Sequence, residues 1–205
     1  MTSIIFLSGN AGKIAEVQSI ASTRGFEVKG VKIPDMPEEV QGSFEKIIQK
    51  KIVVAVEIGK KHDLIHAGDI VLTEDSGVEI DMFGNMPGPY TKHFFETPGE
   101  GISYDDFVEL FEGRKIEGRC VTVAACLPDI ENLESCLFTC GTMRGYFVPK
   151  RGDNGFGWDP YFVPVSCEDI SVNPERRTLG EMTIEEKSEM SMRKVVIEKI
   201  LNKVS

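Results

Sequence analysis

Apolar and polar positions in the first 25 residues predict a strand followed by a helix. The apolar run Ser3–Leu7 contains branched and aromatic residues, which suit a buried strand. The next segment has apolar residues at intervals of three and four, which is the spacing of a helix with one apolar face. Asn10 is a candidate N-cap of this helix, and Gly25 marks its end. The apolar positions of the helix are Ile14, Val17, Ile20 and Ala21.

The rest of the chain shows similar patterns. Apolar runs predict strands over 26–33, 69–73, 78–82, 119–127 and 133–144. Helical spacing predicts helices over 44–62, 103–111 and 183–204 and the start of another over 90–95, with Ser103/Asp106 and Thr183/Glu186 as capping pairs. Prolines and glycines predict loops over 34–42, 84–90 and 152–164. Both faces of 119–127 are apolar or small, which indicates sheet interior covered on both sides.

The glycine-containing turn between the first strand and the first helix is a candidate anion site. The segment Ser8–Val17 reads SGNAGKIAEV, so backbone N–H groups and the positive end of a helix dipole meet at one point. Lys13 lies in the first helical turn, where it can bind a phosphate, and Glu16 shares its face of the helix. The glycine spacing fits neither a Walker loop nor a dinucleotide fingerprint. The alternative is an ordinary turn with a solvated lysine.

Two adjacent acids, Glu74 and Asp75, follow the apolar run 69–73 and precede Ser76 and a glycine. Ligands of α/β sheets bind at the carboxyl ends of strands, and acids at the rim of a core cost desolvation unless a cation offsets it. We favour a functional site here. The alternative is a hairpin turn leading into the strand over 78–82.

The loop 152–164 contains the only tryptophan of the chain among several glycines. A flat base can stack on Phe156 or Trp158, and Asp159 can accept a hydrogen bond from a ring N–H. The segment therefore predicts a platform for a planar ligand. The alternative is an aromatic loop folded over a minor core.

Composition narrows the possible partners. The 205 residues include 23 Lys and Arg and 33 Asp and Glu, and the resulting net charge of −10 argues against nucleic acid or an anionic membrane as the main partner. We find no signal peptide and no membrane-spanning stretch, and the length suits one large domain or two lobes of one fold. The five cysteines form no C-x-x-C pair, so we expect reduced thiols in an intracellular protein. Cys136 and Cys140 share a face of a predicted strand, where core packing is favoured over metal binding.

In their order along the chain, these segments resemble the inosine triphosphate pyrophosphatase family. The matching segments are SGNAGKIAEV, EEVQG, the lysine of the following helix, EDSG, PGPY, GFGWDPYF and EKSEMSMR, from Ile4 to about Ile197. The resemblance implies one α/β domain over 1–205, with an elongated mixed β-sheet flanked by helices and two lobes with an active-site groove between them. It also implies a cytoplasmic homodimer that uses Mg²⁺, with Mn²⁺ as a substitute. The implied reaction cleaves ITP, dITP and XTP to the nucleoside monophosphate and pyrophosphate.

The resemblance also implies roles for individual residues. Catalysis would depend on Asp75, Lys13 and Glu16, and the metal would be held by Glu39 and Asp75. Asp75 would also activate the attacking water. The residues expected to bind the substrate are Ser8, Gly9, Asn10, Ala11, Gly12, Lys13, Lys50, Asp75, Ser76, Phe156, Gly157, Trp158, Asp159, Lys187, Met192 and Arg193.

One position departs from the family. Ser191-Met192-Arg193 stands where the family usually has Ser-His-Arg, and a methionine cannot donate a hydrogen bond to a purine oxygen. We therefore expect catalysis with weaker or altered base selectivity. Two alternatives follow, a pyrophosphatase of different or broad base specificity and a nucleotide-binding sensor without turnover.

Overall fold

The computed structural model describes residues 2–34, 41–96, 101–168 and 170–204. Helices and strands occur in mixed order, as expected for an α/β protein. The helices are α1 (Ala11–Ser22), α2 (Phe44–Lys61), α3 (Tyr104–Leu110), α4 (Ile184–Glu189) and α5 (Met192–Val204). The strands are β1 (Thr2–Leu7), β2 (Phe26–Val31), β3 (Ile70–Ile80), β4 (Met86–Gly88), β5 (Ile116–Leu127), β6 (Leu137–Phe147), β7 (Phe162–Cys167) and β8 (Ile170–Ser171).

These strands form one sheet in the order β2-β1-β3-β5-β6-β7-β8, and β4 pairs with β3. β1 is parallel to both β2 and β3, whereas β6, β7 and β8 pair in antiparallel fashion. The predicted mixed α/β sheet is therefore confirmed. None of the helices in the described ranges is long and apolar enough to cross a membrane.

The chain divides into two compact units. Unit 1 consists of Met1–Asp75, Thr122–Cys140 and Arg193–Ser205, and unit 2 consists of Ser76–Val121 and Gly141–Met192. The single domain over 1–205 and the groove between two lobes stay predictions.

In unit 1, one face of the sheet packs against α1 and α5. Ile4 and Phe6 of β1 and Leu72 of β3 contact Val17 of α1 and Ile197 of α5 in a single apolar cluster. The helical spacing that predicted α1 thus reflects burial on this sheet face, and the first turn of α1 comes to lie beside the middle of β3, at Glu74.

In unit 2, aromatic side chains form a large part of the core. Phe107 of α3 lies edge-on to Phe95 and Phe147, and Tyr104 stacks on Tyr161 at 5.2 Å between ring centroids. Trp158 packs against this cluster. The alternative that the loop 152–164 folds over a core therefore applies to part of that loop.

Most predicted elements are confirmed, but the turn at Glu74–Gly77 is wrong. β3 runs without interruption from Ile70 to Ile80, and the reversal comes later, at Gly84 and Asn85. Both residues have a positive φ, of 63° and 71°, which allows the chain to return as β4 beside β3. Glu74 remains in the strand because its carboxylate pairs with cations there.

The single helix predicted over 183–204 is also wrong, because α4 ends at Glu189 and α5 begins at Met192. The N–H groups of Met190 and Ser191 bond to carbonyls three residues back, which closes the first helix. Met190 and Met192 pack on the core of unit 2, whereas Val196 and its neighbours pack in unit 1.

Smaller differences concern the ends of elements. The second long strand begins at Leu137 and not at Leu133, because Leu133–Ser135 forms a 3-10 turn. Cys136 therefore precedes the strand that contains Cys140, and all five cysteines are free. The helix start predicted over 90–95 is a π-helical turn, Lys92–Glu96.

Candidate active site

The predicted phosphate loop is formed by the end of β1 and the first turn of α1. Asn10 caps the helix by accepting a hydrogen bond from the Lys13 N–H at 3.1 Å, and its own N–H bonds to Ser8 Oγ at 3.2 Å. Gly9, Asn10, Ala11 and Gly12 are exposed. The loop therefore presents backbone at a helix N-terminus, which is the geometry expected for anion binding.

Lys13 does not extend into solvent as a lone lysine. Its Nζ lies 2.6 Å from Oε1 of Glu74, whose side chain is 1% exposed, while the side chain of Lys13 itself is 23% exposed. The alternative of a solvated lysine at this turn is therefore wrong.

Arg193 completes this group of charges in unit 1. Its Nε donates to Glu74 Oε2 at 3.4 Å, and its Nη1 donates to Glu16 Oε2. We call these four residues the charge cluster: Lys13, Glu16, Glu74 and Arg193. The cluster contains two cations and two carboxylates.

The electrostatics of the cluster keep Glu74 ionised. Burial by itself would raise the pKa of Glu74, but the charges of Arg193 and Lys13 and the hydrogen bonds from both outweigh it and lower that pKa below its usual value. Burial would lower the pKa of Arg193, yet Glu74 and Glu16 raise it. The cluster is therefore a set of fixed charges in the middle of β3.

The sequence placed Glu74 with Asp75 in a favoured functional site, but it gave Glu74 no individual role and did not identify Lys13 and Arg193 as its partners. The signal was present, because Glu74 directly follows the buried residues Leu72 and Thr73 and has no small or turn-forming neighbour before it. A carboxylate within a buried strand needs a cation. Lys13 and Arg193 were both predicted site residues and were therefore candidates for this role.

Asp75 and Ser76 lie in β3 and are half-buried. Glu74 and Asp75 are consecutive residues of β3, and the charge cluster contains Glu74.

The donor chemistry near Asp75 fits magnesium. Mg²⁺ prefers carboxylate oxygens and is often bound through one or two carboxylates with waters and substrate phosphates. Asp75 supplies such an oxygen, and Mn²⁺ accepts the same ligands. Glu39, the other predicted ligand, lies outside the described residues. Within residues 2–34, 41–96, 101–168 and 170–204, no group of three His, Cys, Asp or Glu side chains is arranged to hold a metal ion.

Lys50 lies on α2 and is exposed. It is adjacent to the apolar stripe of that helix, whose buried positions include Ile47, Ile48 and Ile52. The contact of Lys50 with phosphate stays a prediction.

In unit 2, the loop before β7 presents one exposed aromatic ring. Phe156 is 66% exposed, whereas Trp158 is half-buried against the core. Gly155 and Gly157 flank Phe156 with φ values of 86° and 60°. Phe156 is therefore the better placed of the two rings for stacking on a base.

Asp159 and Lys187 form an ion pair beside this ring. Oδ2 of the buried Asp159 accepts hydrogen bonds from the Phe156 N–H at 3.2 Å and from Lys187 Nζ. Lys187 is held at this point by α4, whose capping box joins Thr183 and Glu186. The predicted base residues of unit 2 are thus brought together, while Arg193 belongs to the charge cluster of unit 1. A base-binding role of Arg193 stays a prediction.

Comparison with known proteins identifies the family of the chain. The model of the Ham1 family matches residues 4–203. The chain is 34% identical over 192 residues to an inosine triphosphate pyrophosphatase of Aspergillus oryzae, covering 93% of this chain and 87% of the relative. It is also 34% identical over 198 residues to a dITP/XTP pyrophosphatase of Methanopyrus kandleri, covering 96% and 93%.

A solved structure supports the fold. The HAM1 protein from Coxiella burnetii superimposes with a TM-score of 0.76 at 24% identity, covering 100% of this chain and 98% of that one. Both the described fold and the family model extend over nearly the whole chain, and the chain belongs to the Ham1 family.

Proposed function

We propose that this protein hydrolyses non-canonical purine nucleoside triphosphates, namely ITP, dITP and XTP, to the monophosphate and pyrophosphate. The reaction would remove these nucleotides from the nucleotide pool. Relatives 34% identical over more than nine-tenths of the chain are named as pyrophosphatases of these substrates. The observation that carries the proposal is Lys13, held at an exposed helix N-terminus by the buried carboxylate of Glu74.

The triphosphate binds at Ser8–Lys13. The exposed backbone N–H groups and the dipole of α1 favour an anion, and the ammonium of Lys13 adds a full charge. Lys50 contributes a second ammonium from α2. Because the Lys13 ammonium is held by Glu74 before the substrate arrives, it stabilises the negative charge that develops on the leaving pyrophosphate.

Hydrolysis requires a water to attack the α-phosphorus and release pyrophosphate. Asp75 accepts a proton from this water, a new P–O bond forms, and the bond from the α-phosphorus to the bridging oxygen breaks. Lys13 stabilises the charge on the departing group. Glu16 lies one helical turn from Lys13 and orients Arg193.

Mg²⁺ would be held by Asp75 and Glu39, with Mn²⁺ as a substitute, and when bound it neutralises phosphate charge and lowers the pKa of water. The assignment is supported by the carboxylate chemistry at Asp75. Adding EDTA should abolish turnover, and restoring Mg²⁺ should recover it.

The base binds at the loop that contains Phe156–Asp159. Phe156 offers an exposed ring for stacking, and the Asp159 carboxylate, which accepts from Phe156 N–H and Lys187, has lone pairs left for a purine N–H. Lys187 donates to a 6-oxo group. Adenine carries a donor at that position, so a pocket of donors disfavours it.

The deciding experiment measures pyrophosphate release from ITP, XTP, GTP, ATP and dUTP with Mg²⁺. We expect rapid release from ITP and XTP and little from the others. Comparable rates across the panel would instead favour a pyrophosphatase of broad base specificity.

Asp75→Asn separates an enzyme from a nucleotide-binding sensor. The variant should lose turnover and retain ITP binding, because the amide keeps the shape of the side chain and loses its basicity. A wild-type protein that binds ITP without releasing pyrophosphate would identify a sensor.

The proposal includes a homodimer in the cytoplasm, as the family resemblance implies. Several large apolar side chains of unit 2, among them Met82, Met86 and Phe94, are exposed, which is compatible with an interface. Sedimentation velocity should give twice the mass of the 205-residue chain, and fractionation of the native cells should recover the protein with the cytosol.

A further inference from the structure

Glu74 lies at the centre of the charge cluster. One carboxylate oxygen pairs with Lys13 at 2.6 Å, and the other accepts from Arg193 at 3.4 Å. The side chain is almost completely buried. The two cations that Glu74 joins come from the first turn of α1 and the start of α5, so one carboxylate fixes two elements distant in sequence.

An apolar side chain at position 74 would stabilise β3 at a lower desolvation cost than this buried ion pair. Burying an ion pair costs desolvation, and well-packed apolar residues often replace such a pair without loss of stability. A valine or leucine at position 74 would continue the apolar pattern of Leu72. The carboxylate therefore has a reason other than stability.

The ion pair with Glu74 leaves hydrogen-bond donors of Lys13 available. An ammonium has three N–H donors, and Glu74 engages the Lys13 ammonium at a single oxygen. The remaining donors of Lys13 can reach substrate oxygens, since its side chain is still 23% exposed. Pairing with Glu74 thus orients the Lys13 ammonium and leaves N–H donors for the substrate.

We propose that Glu74 is a positioning residue, which through one buried carboxylate aims Lys13 at the phosphates and holds Arg193 in place for the substrate. The inference rests on the proposed function. Glu74 touches neither substrate nor metal in this account and acts only through the two cations.

The test compares Glu74→Gln with Glu79→Gln. Glu79 lies on the same strand, is 14% exposed and pairs with Arg119 at 2.5 Å, so it controls for the loss of a shielded ion pair on β3. We expect kcat/KM for ITP to fall about 10-fold to 100-fold in Glu74→Gln, because a small misplacement of a binding group has an effect of this size. Glu79→Gln should stay within about 2-fold of wild type.

A double-mutant cycle distinguishes positioning from general stability. If Glu74 acts through Lys13, adding Glu74→Gln to Lys13→Ala should lower kcat/KM much less than it does in the wild type. Equal fold-changes in both backgrounds would overturn the proposal, as would an unchanged kcat/KM in Glu74→Gln.

A second variant covers the case in which Glu74→Gln does not fold. Glu74→Asp keeps the charge and withdraws the carboxylate by one methylene, so it cannot reach both cations. Its kcat/KM should also fall, and a wild-type value would contradict the proposal.

Equilibrium dialysis of ITP in EDTA measures binding without turnover. It therefore tests the positioning role of Glu74 separately from the proposed hydrolysis of ITP. A wild type that releases no pyrophosphate but binds ITP more tightly than Glu74→Gln does would refute the proposed function and retain the role of Glu74. Equal affinities in the two proteins, whatever the turnover, would refute the role of Glu74.

Discussion

Individual residues of the candidate site are held by neighbours of opposite charge. Lys13 is paired with Glu74, Arg193 with Glu16 and Glu74, and Lys187 with Asp159. Each cation thus has a defined place before any ligand binds, which lowers the entropic cost of binding.

Gly155 tests the pair formed by Asp159 and Lys187. A Cβ at this position would meet the Asp159 carboxylate and lie 2.6 Å from Lys187 Nζ. We expect Gly155→Ala to raise KM for ITP about 10-fold or more with a smaller effect on kcat, because the pair binds the base in both ground and transition states.

Gly113→Ala is the matched control for this prediction. Gly113 has a φ of 77°, close to the 86° of Gly155, but a Cβ there meets no atom within 4 Å. Both variants carry the same backbone strain, so equal KM values would contradict a role of the ion pair in binding.

Met192 tests base selectivity. It packs against the apolar core of unit 2 and has no hydrogen-bond donor in its side chain. Met192→His should raise the ratio of kcat/KM for ITP over ATP by about 10-fold, since a ring N–H can donate to the 6-oxo group of hypoxanthine, whereas adenine carries a donor at that position. An unchanged ratio in steady-state assays would argue against altered selectivity at this position.

At the scale of elements, helix ends place the functional side chains. Asn10 begins α1 one turn from Lys13, and Thr183 begins α4 one turn from Lys187. The break between α4 and α5 then allows Lys187 to join unit 2 and Arg193 to join unit 1. Helix caps are encoded locally, which is why sequence patterns predicted both starts.

Thr183→Ala tests the capping box of α4. The Thr183 hydroxyl accepts from the Glu186 N–H at 3.3 Å, and Glu186 accepts from the Thr183 N–H at 2.8 Å. We expect urea unfolding to show a loss of about 1 kcal/mol, the usual effect of removing such a cap. Ser188→Ala, within the same helix, should change stability by less than half as much, and equal losses would contradict the prediction.

At the scale of the whole molecule, a buried tyrosine makes stability depend on alkaline pH. Burial, together with the hydrogen bond to Asp105 at 3.0 Å, raises the pKa of Tyr161 to about 12. The phenol therefore loses its proton in the unfolded chain near pH 10, before it does so in the folded protein. The stabilisation is complete below pH 10 and disappears as the pH rises toward 12.

Chemical unfolding at pH 8 and pH 11 measures this effect. Tyr161→Phe should be less stable than wild type at pH 8, and the difference should shrink at pH 11. Asp105→Asn removes the charge that contributes to the raised pKa of Tyr161. The difference in unfolding free energy between this variant and wild type should therefore also be smaller at pH 11 than at pH 8. A difference that stays constant in both variants would contradict the assignment.

The sequence by itself determined the local features of this protein. Hydrophobic spacing located the helices, with α4 and α5 as one, and five of the eight described strands, whereas β4, β7 and β8 were not predicted. The cap at Asn10, the glycine turn before Lys13 and an aromatic loop containing Phe156 and Trp158 followed from short segments. These features depend on neighbours within a few residues, so a pattern of residue types suffices to predict them.

Only the tertiary structure decided which charges meet. Arg193 pairs with Glu74 across 119 residues of sequence and with Glu16 across 177, and no local pattern encodes either contact. The unbroken course of β3 through Glu74 depends on the same pairing. A buried carboxylate without a partner is costly, and the pairing of Glu74 with Lys13 and Arg193 offsets that cost. This pairing forms the centre of the candidate site.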